Sequence, residues 1–150
     1  DNDKSGSTLK KLVEDYGHVC FSRDIVKDEP KELLSIFNEW TNNKNLDVII
    51  TTGGTGLTGR DITVDVLETY FDKKIDGFGE LFRFISYRKI GTSTIQSRAI
   101  AGTKNGKYIF CLPGSSSACK DAWEEILKFQ LDIRHKPCNF VEIMPRLNET

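Results

Sequence analysis

One stretch limits the possible folds more than any other. It is Leu46 to Asp61, which reads LDVIITTGGTGLTGRD. Leu46 to Thr51 is a short run of apolar and β-branched residues, the pattern of a strand buried on both faces. Thr52 to Gly59 then packs four glycines and three threonines into eight residues. Glycines let backbone N–H groups come close to an anion, and a helix starting after Asp61 adds the positive end of its dipole. Strand, glycine-rich turn and helix in that order belong to an open α/β sheet. Ligands of such sheets bind beyond the carboxyl ends of the strands. A plain tight strand-to-helix turn is the alternative.

Helix and strand signals alternate along the rest of the chain. Leu9, Leu12, Val13 and Tyr16 share one face of a helix that Gly17 ends. His18 to Val26 reads as a strand. Pro30 stands in the first turn of a helix carrying Leu33, Leu34, Ile36, Phe37 and Trp40. Val64, Leu67 and Phe71 mark a short helix after Asp61. Gly77-Phe78-Gly79 predicts a break before a helix from Glu80 to Lys89. Ala99 to Thr103 and Lys107 to Leu112 read as two strands joined at Asn105-Gly106, a two-residue hairpin signal. Ser115 to Ser117 offer caps for a helix carrying Ala122, Trp123, Ile126 and Leu127. The tail from Arg134 reads as irregular. Together these elements predict a single domain over residues 1–150. Its expected fold is α/β, a three-layer sandwich with a mostly parallel sheet, one antiparallel hairpin and helices on both faces.

Two short motifs nearly match the glycine-rich loop. Gly54-x-Gly56-x-x-Gly59 has the dinucleotide spacing, but that motif needs a full crossover helix and an acid ending the next strand. Asp76 instead follows Lys74-Ile75 and precedes a glycine. Gly54-x-x-x-x-Gly59 also opens a P-loop, which continues with Lys-Ser/Thr. This chain has Arg60-Asp61 there. A second loop, Gly114-Ser115-Ser116-Ser117, again follows a strand and opens a helix. Its hydroxyls and free N–H groups suit an anion or simply cap the helix. The pair of loops suggests a ligand with two anionic ends.

Charge narrows the partners. The chain carries 21 Lys+Arg against 22 Asp+Glu, a net charge of -1. That balance argues against a general nucleic-acid binder. No apolar run approaches the roughly 20 residues of a membrane-spanning helix. Cys20, Cys111, Cys119 and Cys138 form no C-x-x-C pair, so they read as reduced thiols of a cytoplasmic protein.

Several segments, in order, resemble the MoaB/MogA family of molybdopterin-binding proteins. They are Asp3-Lys4-Ser5-Gly6, Ile25-Val26-Lys27-Asp28, Thr52 to Thr58 with Asp61, and Gly77 to Arg83. Gly91 to Thr94 with Gln96 to Ala99, and Leu112 to Ser115, follow downstream. Ala118-Cys119, Ala122-Trp123-Glu124 and Pro137-Cys138-Asn139-Phe140 are similar to the MoaB branch in particular. The likeness spans nearly the whole chain. It implies an α/β sandwich assembled as trimers or hexamers. The family begins with a strand and a short loop ahead of the segment at Asp3, and the domain over residues 1–150 is expected to lack that first strand. It also implies work in molybdenum cofactor biosynthesis. Molybdopterin would be bound, and its terminal phosphate adenylylated with Mg-ATP, releasing pyrophosphate. The alternative is a non-catalytic module that carries molybdopterin within the oligomer and hands it to other molybdenum cofactor enzymes.

The same resemblance assigns residues. Asp28 and Asp61 fall on functional aspartates of the family, as catalytic groups and as ligands of Mg²⁺, an ion that takes one or two carboxylates from protein. Thr52, Gly53, Gly54, Thr55 and Gly56, with Gly114, Ser115 and Ser116, would hold the pterin and its phosphate. Lys4, Ser5, Arg60, Glu80 and Arg98 would border the pocket. Gly59, Val64 and Ser116 stand where catalytic relatives often have other residues, proline among them, which leaves these loops looser.

Overall fold

In the computed structural model, which describes residues 3–150, four strands form one open sheet in the order β1-β4-β3-β2. They are β1 (Val48–Thr52), β2 (Lys73–Lys74), β3 (Ile100–Lys104) and β4 (Lys107–Leu112). β1 pairs parallel with β4, from Val48 opposite Tyr108 to Thr52 opposite Leu112. β3 pairs antiparallel with both β4 and β2. The sheet is therefore mixed, with one parallel pairing where the sequence predicts a mostly parallel sheet. The expected hairpin is present. Asn105 and Gly106 take positive φ of 51° and 77°, as a tight turn between twisted strands requires.

Period-two alternation on β4 builds two cores. Tyr108, Phe110 and Leu112 point to one face, where they meet α1 (Lys4–Asp15), α4 (Asp76–Ile90) and α5 (Ser116–Ala122) through Leu9, Phe82 and Cys119. Ile109 and Cys111 point to the other face, against α2 (Pro30–Thr41) and α3 (Thr63–Tyr70) through Phe37 and Leu67. β4 is thus buried from both sides, which explains its continuous apolar run. After α5 one wide turn spans Trp123–Leu127, and α6 (Lys128–Gln130) follows.

Three local readings change. His18 to Val26 forms no strand. The outer edge of β1 has no partner strand among the described residues, and a cleft of about 1380 Å³ separates it from this segment. Without an edge within reach, an extended run makes no ladder. Contacts at its start and midway along it hold it instead. His18 packs edge-on to Trp123 at 5.6 Å, and Arg23 pairs with Asp3 at 3.0 Å. Secondly, Gly77 to Gly79 lie inside α4 and do not break it. A Cβ on Gly79 would stand 2.6 Å from the Ala99 carbonyl, so glycine lets α4 approach the start of β3. Packing there outweighs glycine's poor helix propensity. Thirdly, the tail is not wholly irregular: α7 (Phe140–Ile143) and a single 3-10 turn over Met144–Arg146 close the chain. Phe140 is held by the Tyr108 hydroxyl, which donates to its carbonyl at 2.6 Å.

Candidate functional site

The parallel pairing of β1 and β4 puts both predicted anion loops at the same end of the sheet. Gly53 N–H donates to the Leu112 carbonyl at 2.9 Å, extending the ladder to the start of each loop. There the loops touch. A Cβ on Gly114 would lie only 3.5 Å from Gly53 Cα, so no side chain stands between them. Ser115 caps α5 by accepting from the Ala118 N–H at 3.1 Å, and Ser116 is the first residue of that helix. Among the described residues its hydroxyl makes no hydrogen bond. This is the crevice beyond strand ends where α/β sheets take ligands.

A small polar cluster fixes the floor. The Thr52 hydroxyl donates to the Pro113 carbonyl at 3.0 Å and sits 3.0 Å from the Ser5 hydroxyl. The Cys119 thiol lies 3.4 Å from that same Thr52 oxygen, and burial pushes its pKa up. Ser5 and Thr52 are therefore joined to Pro113 at the start of the second loop. Cys119 is a member the sequence reading missed. Its place one helical turn beyond Ser115 was the available clue.

The first loop then folds over. Gly54 takes φ +73°, and a side chain there would collide with the Thr63 hydroxyl. Gly56 is constrained less, by space alone: a Cβ would come within 2.6 Å of an Asp61 carboxylate oxygen, which would have to move. Asp61 bends back to accept from Thr58, at 2.8 Å from the hydroxyl and 3.0 Å from the N–H. These two bonds hold its carboxyl below the ordinary carboxylate range, so it is ionised at neutral pH. Both Thr58 bonds fall on Oδ2, and the Gly56 N–H adds to the stabilisation of the charged carboxylate.

The remaining predicted residues are more scattered. Asp28 is exposed in a bend before α2, on the wall of the cleft beside β1 that also includes Thr52 and Gly53. Among the described residues no hydrogen bond or ion pair joins it to Asp61. Lys4 and Arg60 are exposed, and neither forms an ion pair among the described residues. Glu80 is exposed on α4. Arg83, one turn on, donates inward to the Ser97 and Ala99 carbonyls at 3.3 and 3.1 Å. Arg98 is half-buried and ion-paired with Asp65 at 2.9 Å. Asp65 follows Asp61 by four residues, at the start of α3, a spacing that the sequence reading passed over. Among the described residues no three His, Cys, Asp or Glu side chains gather into a metal-holding group. A magnesium ion that draws most of its ligands from substrate phosphates and water needs only one or two carboxylates. Asp61 fits that demand.

Comparison with known proteins converges on one kind of relative. The family model described as "Probable molybdopterin binding domain" matches residues 2–133. The molybdenum cofactor biosynthesis protein B of Escherichia coli strain K12 is 43% identical over 140 residues, covering 93% of this chain and 82% of that relative. A crystal structure of a molybdenum cofactor biosynthesis protein B superimposes with a TM-score of 0.83 at 42% identity, covering 86% of this chain and 81% of that one. The tungsten cofactor synthesizing protein MoaB from Pyrococcus furiosus superimposes with a TM-score of 0.75 at 37% identity, covering 85% and 80%.

Proposed function

We propose an activity from one premise: the chain belongs to the molybdopterin-binding domain family, with relatives named MoaB, and works in molybdenum cofactor biosynthesis. Our reading is that it binds molybdopterin across the two touching loops and adenylylates the terminal phosphate of the pterin. The observation that carries it is the meeting of Gly53 and Gly114 at the ends of parallel strands, beside an ionised Asp61.

The chemistry asks little of the protein except positioning and charge. An oxygen of the pterin phosphate attacks the α-phosphorus of ATP. A new P–O bond forms, the bond from the α-phosphorus to the bridging oxygen breaks, and pyrophosphate leaves with the electron pair. Backbone N–H groups of Gly54 and Thr55 and the N-terminal turn at Ser115 and Ser116 would hold the anionic groups, while Gly53, whose own N–H is bonded to Leu112, and Gly56 shape the turn around them. Lys4 and Arg60, both without an ion-pair partner among the described residues, supply mobile positive charge at the rim. Asp61, with Asp28, would hold the magnesium ion, whose charge would screen the repelling phosphates.

We further propose that the working form is a homo-oligomer, a trimer or hexamer, in the cytoplasm. Leu81, Phe84 and Tyr87 stand exposed along α4 at 45%, 64% and 57%, and Ile95 beyond it at 78%, an apolar surface that suits a second copy. No helix among the described residues is long and apolar enough to cross a membrane.

The test loads purified protein with molybdopterin, adds Mg-ATP, and follows pyrophosphate together with adenylylated pterin. Product is expected, and Asp61→Ala should lower it by about a hundredfold or more while pterin affinity changes little. Tight pterin binding with no product would leave a carrier that passes the cofactor on.

A further inference from the structure

Arg98 stands just before β3, and its side chain spans the glycine-rich loop from the inside. Nε donates to the Gly56 carbonyl at 2.8 Å, and Nη2 donates to the Asp61 carbonyl at 2.8 Å. Nη1 and Nη2 also donate to the two Asp65 carboxylate oxygens, at 2.9 and 3.2 Å. The Arg98 N–H adds a bond to the Thr55 carbonyl at 2.9 Å. A guanidinium has five N–H donors, and four are used here. An incoming phosphate would have to displace these bonds, so the fork faces the loop and leaves the ligand to other groups.

The carbonyls it grips bracket the excursion from Leu57 to Arg60. Between them the Asp61 carboxylate turns back onto Thr58. Fixing the Gly56 and Asp61 backbones together therefore fixes where Asp61 points. Asp65, on the first turn of α3, accepts from both Nη1 and Nη2 and so holds the planar fork in register.

We propose that Arg98, locked by Asp65, is the positioning residue that aims the Asp61 carboxylate at the ligand. Its part in turnover rests on the adenylyl-transfer reading above; its hold on the loop does not. Lysine cannot replace it, because a single ammonium cannot meet two carbonyls and a carboxylate with a planar fork.

The test compares Arg98→Lys, Asp65→Asn and the double variant by two readouts. The first is amide hydrogen exchange over residues 56–61, which needs no substrate. Arg98→Lys should speed exchange there by about tenfold, with the core strands unchanged. The second is steady-state adenylyl transfer. Its kcat should fall by about tenfold, with KM for molybdopterin and ATP held within about twofold. Asp65→Asn should move both readouts the same way by less, and the double variant should be no worse than Arg98→Lys, since the two residues act as one unit. Unchanged exchange in Arg98→Lys would overturn the proposal whatever the activity. So would a raised KM with unchanged kcat, which would make Arg98 a direct phosphate ligand. If the unmodified chain forms no adenylylated pterin, the transfer reading falls, and exchange alone decides whether Arg98 holds the loop.

Discussion

At the scale of single residues the glycine-rich loop divides its glycines sharply. Gly54 is held at φ +73° against Thr63, while Gly59 has open space where a Cβ would go and no positive φ. Left-handed backbone costs an L-residue about 1–2 kcal/mol, before the collision with Thr63 is counted. Gly54→Ala should therefore lower stability by about 2 kcal/mol or more and abolish molybdopterin binding. Gly59→Ala should leave both within about 0.5 kcal/mol. Chemical denaturation with a binding titration separates the two. Equal effects would mean that the loop is not seated as described. Both residues fit the same short motifs in the sequence. Only the backbone angles and the neighbouring Thr63 tell them apart, which is why sequence assigned the loop but not its critical member.

At the scale of elements, β4 is the strand that pays most for its position, being buried on both faces. Burial pushes the Cys111 thiol from its ordinary 9.0 up to about 12. A group whose pKa is raised on folding contributes stability that is intact below its unfolded value and is lost as pH rises toward its folded value. Stability should hold to about pH 9 and then fall toward pH 12, and Cys111→Ala should flatten part of that fall. Denaturation midpoints across this range check it. An identical slope in the variant would contradict it. Native-state labelling should reach exposed Cys138 quickly and Cys111 only on unfolding. The apolar pattern of β4, the Asn105-Gly106 turn and the Pro30 helix start were legible because each is local chemistry. The failure at His18 to Val26 has the opposite cause. A strand needs a neighbouring edge, and no local pattern reports whether one is within reach. Gly77 to Gly79 misled for a related reason, since the carbonyl of Ala99 that requires a small residue lies 20 positions away from Gly79.

At the scale of the whole molecule, the sheet places the candidate site and the exposed apolar surface on different elements. The loops cap β1 and β4, whereas Leu81, Phe84 and Tyr87 lie on α4. Assembly and ligand binding should therefore be separable. Phe84→Glu places a charge in the apolar surface and should convert an oligomer to monomer in light-scattering measurements, while circular dichroism stays unchanged. An unchanged mass would remove α4 from the interface. The candidate site was readable from sequence in its loops and in Asp61. Its internal bracing was not, because Arg98 reaches Gly56 and Asp61 from 42 and 37 positions away.

The central claim is that two loops distant in sequence form one ligand site. The most direct measurement is backbone amide NMR of the isotope-labelled protein titrated with molybdopterin. The account predicts that shifts concentrate in Gly53 to Gly56 and in Gly114 to Ser116 together, and saturate at one common ligand concentration. Shifts confined to the cleft between β1 and the His18 to Val26 segment, with both loops unmoved, would contradict it.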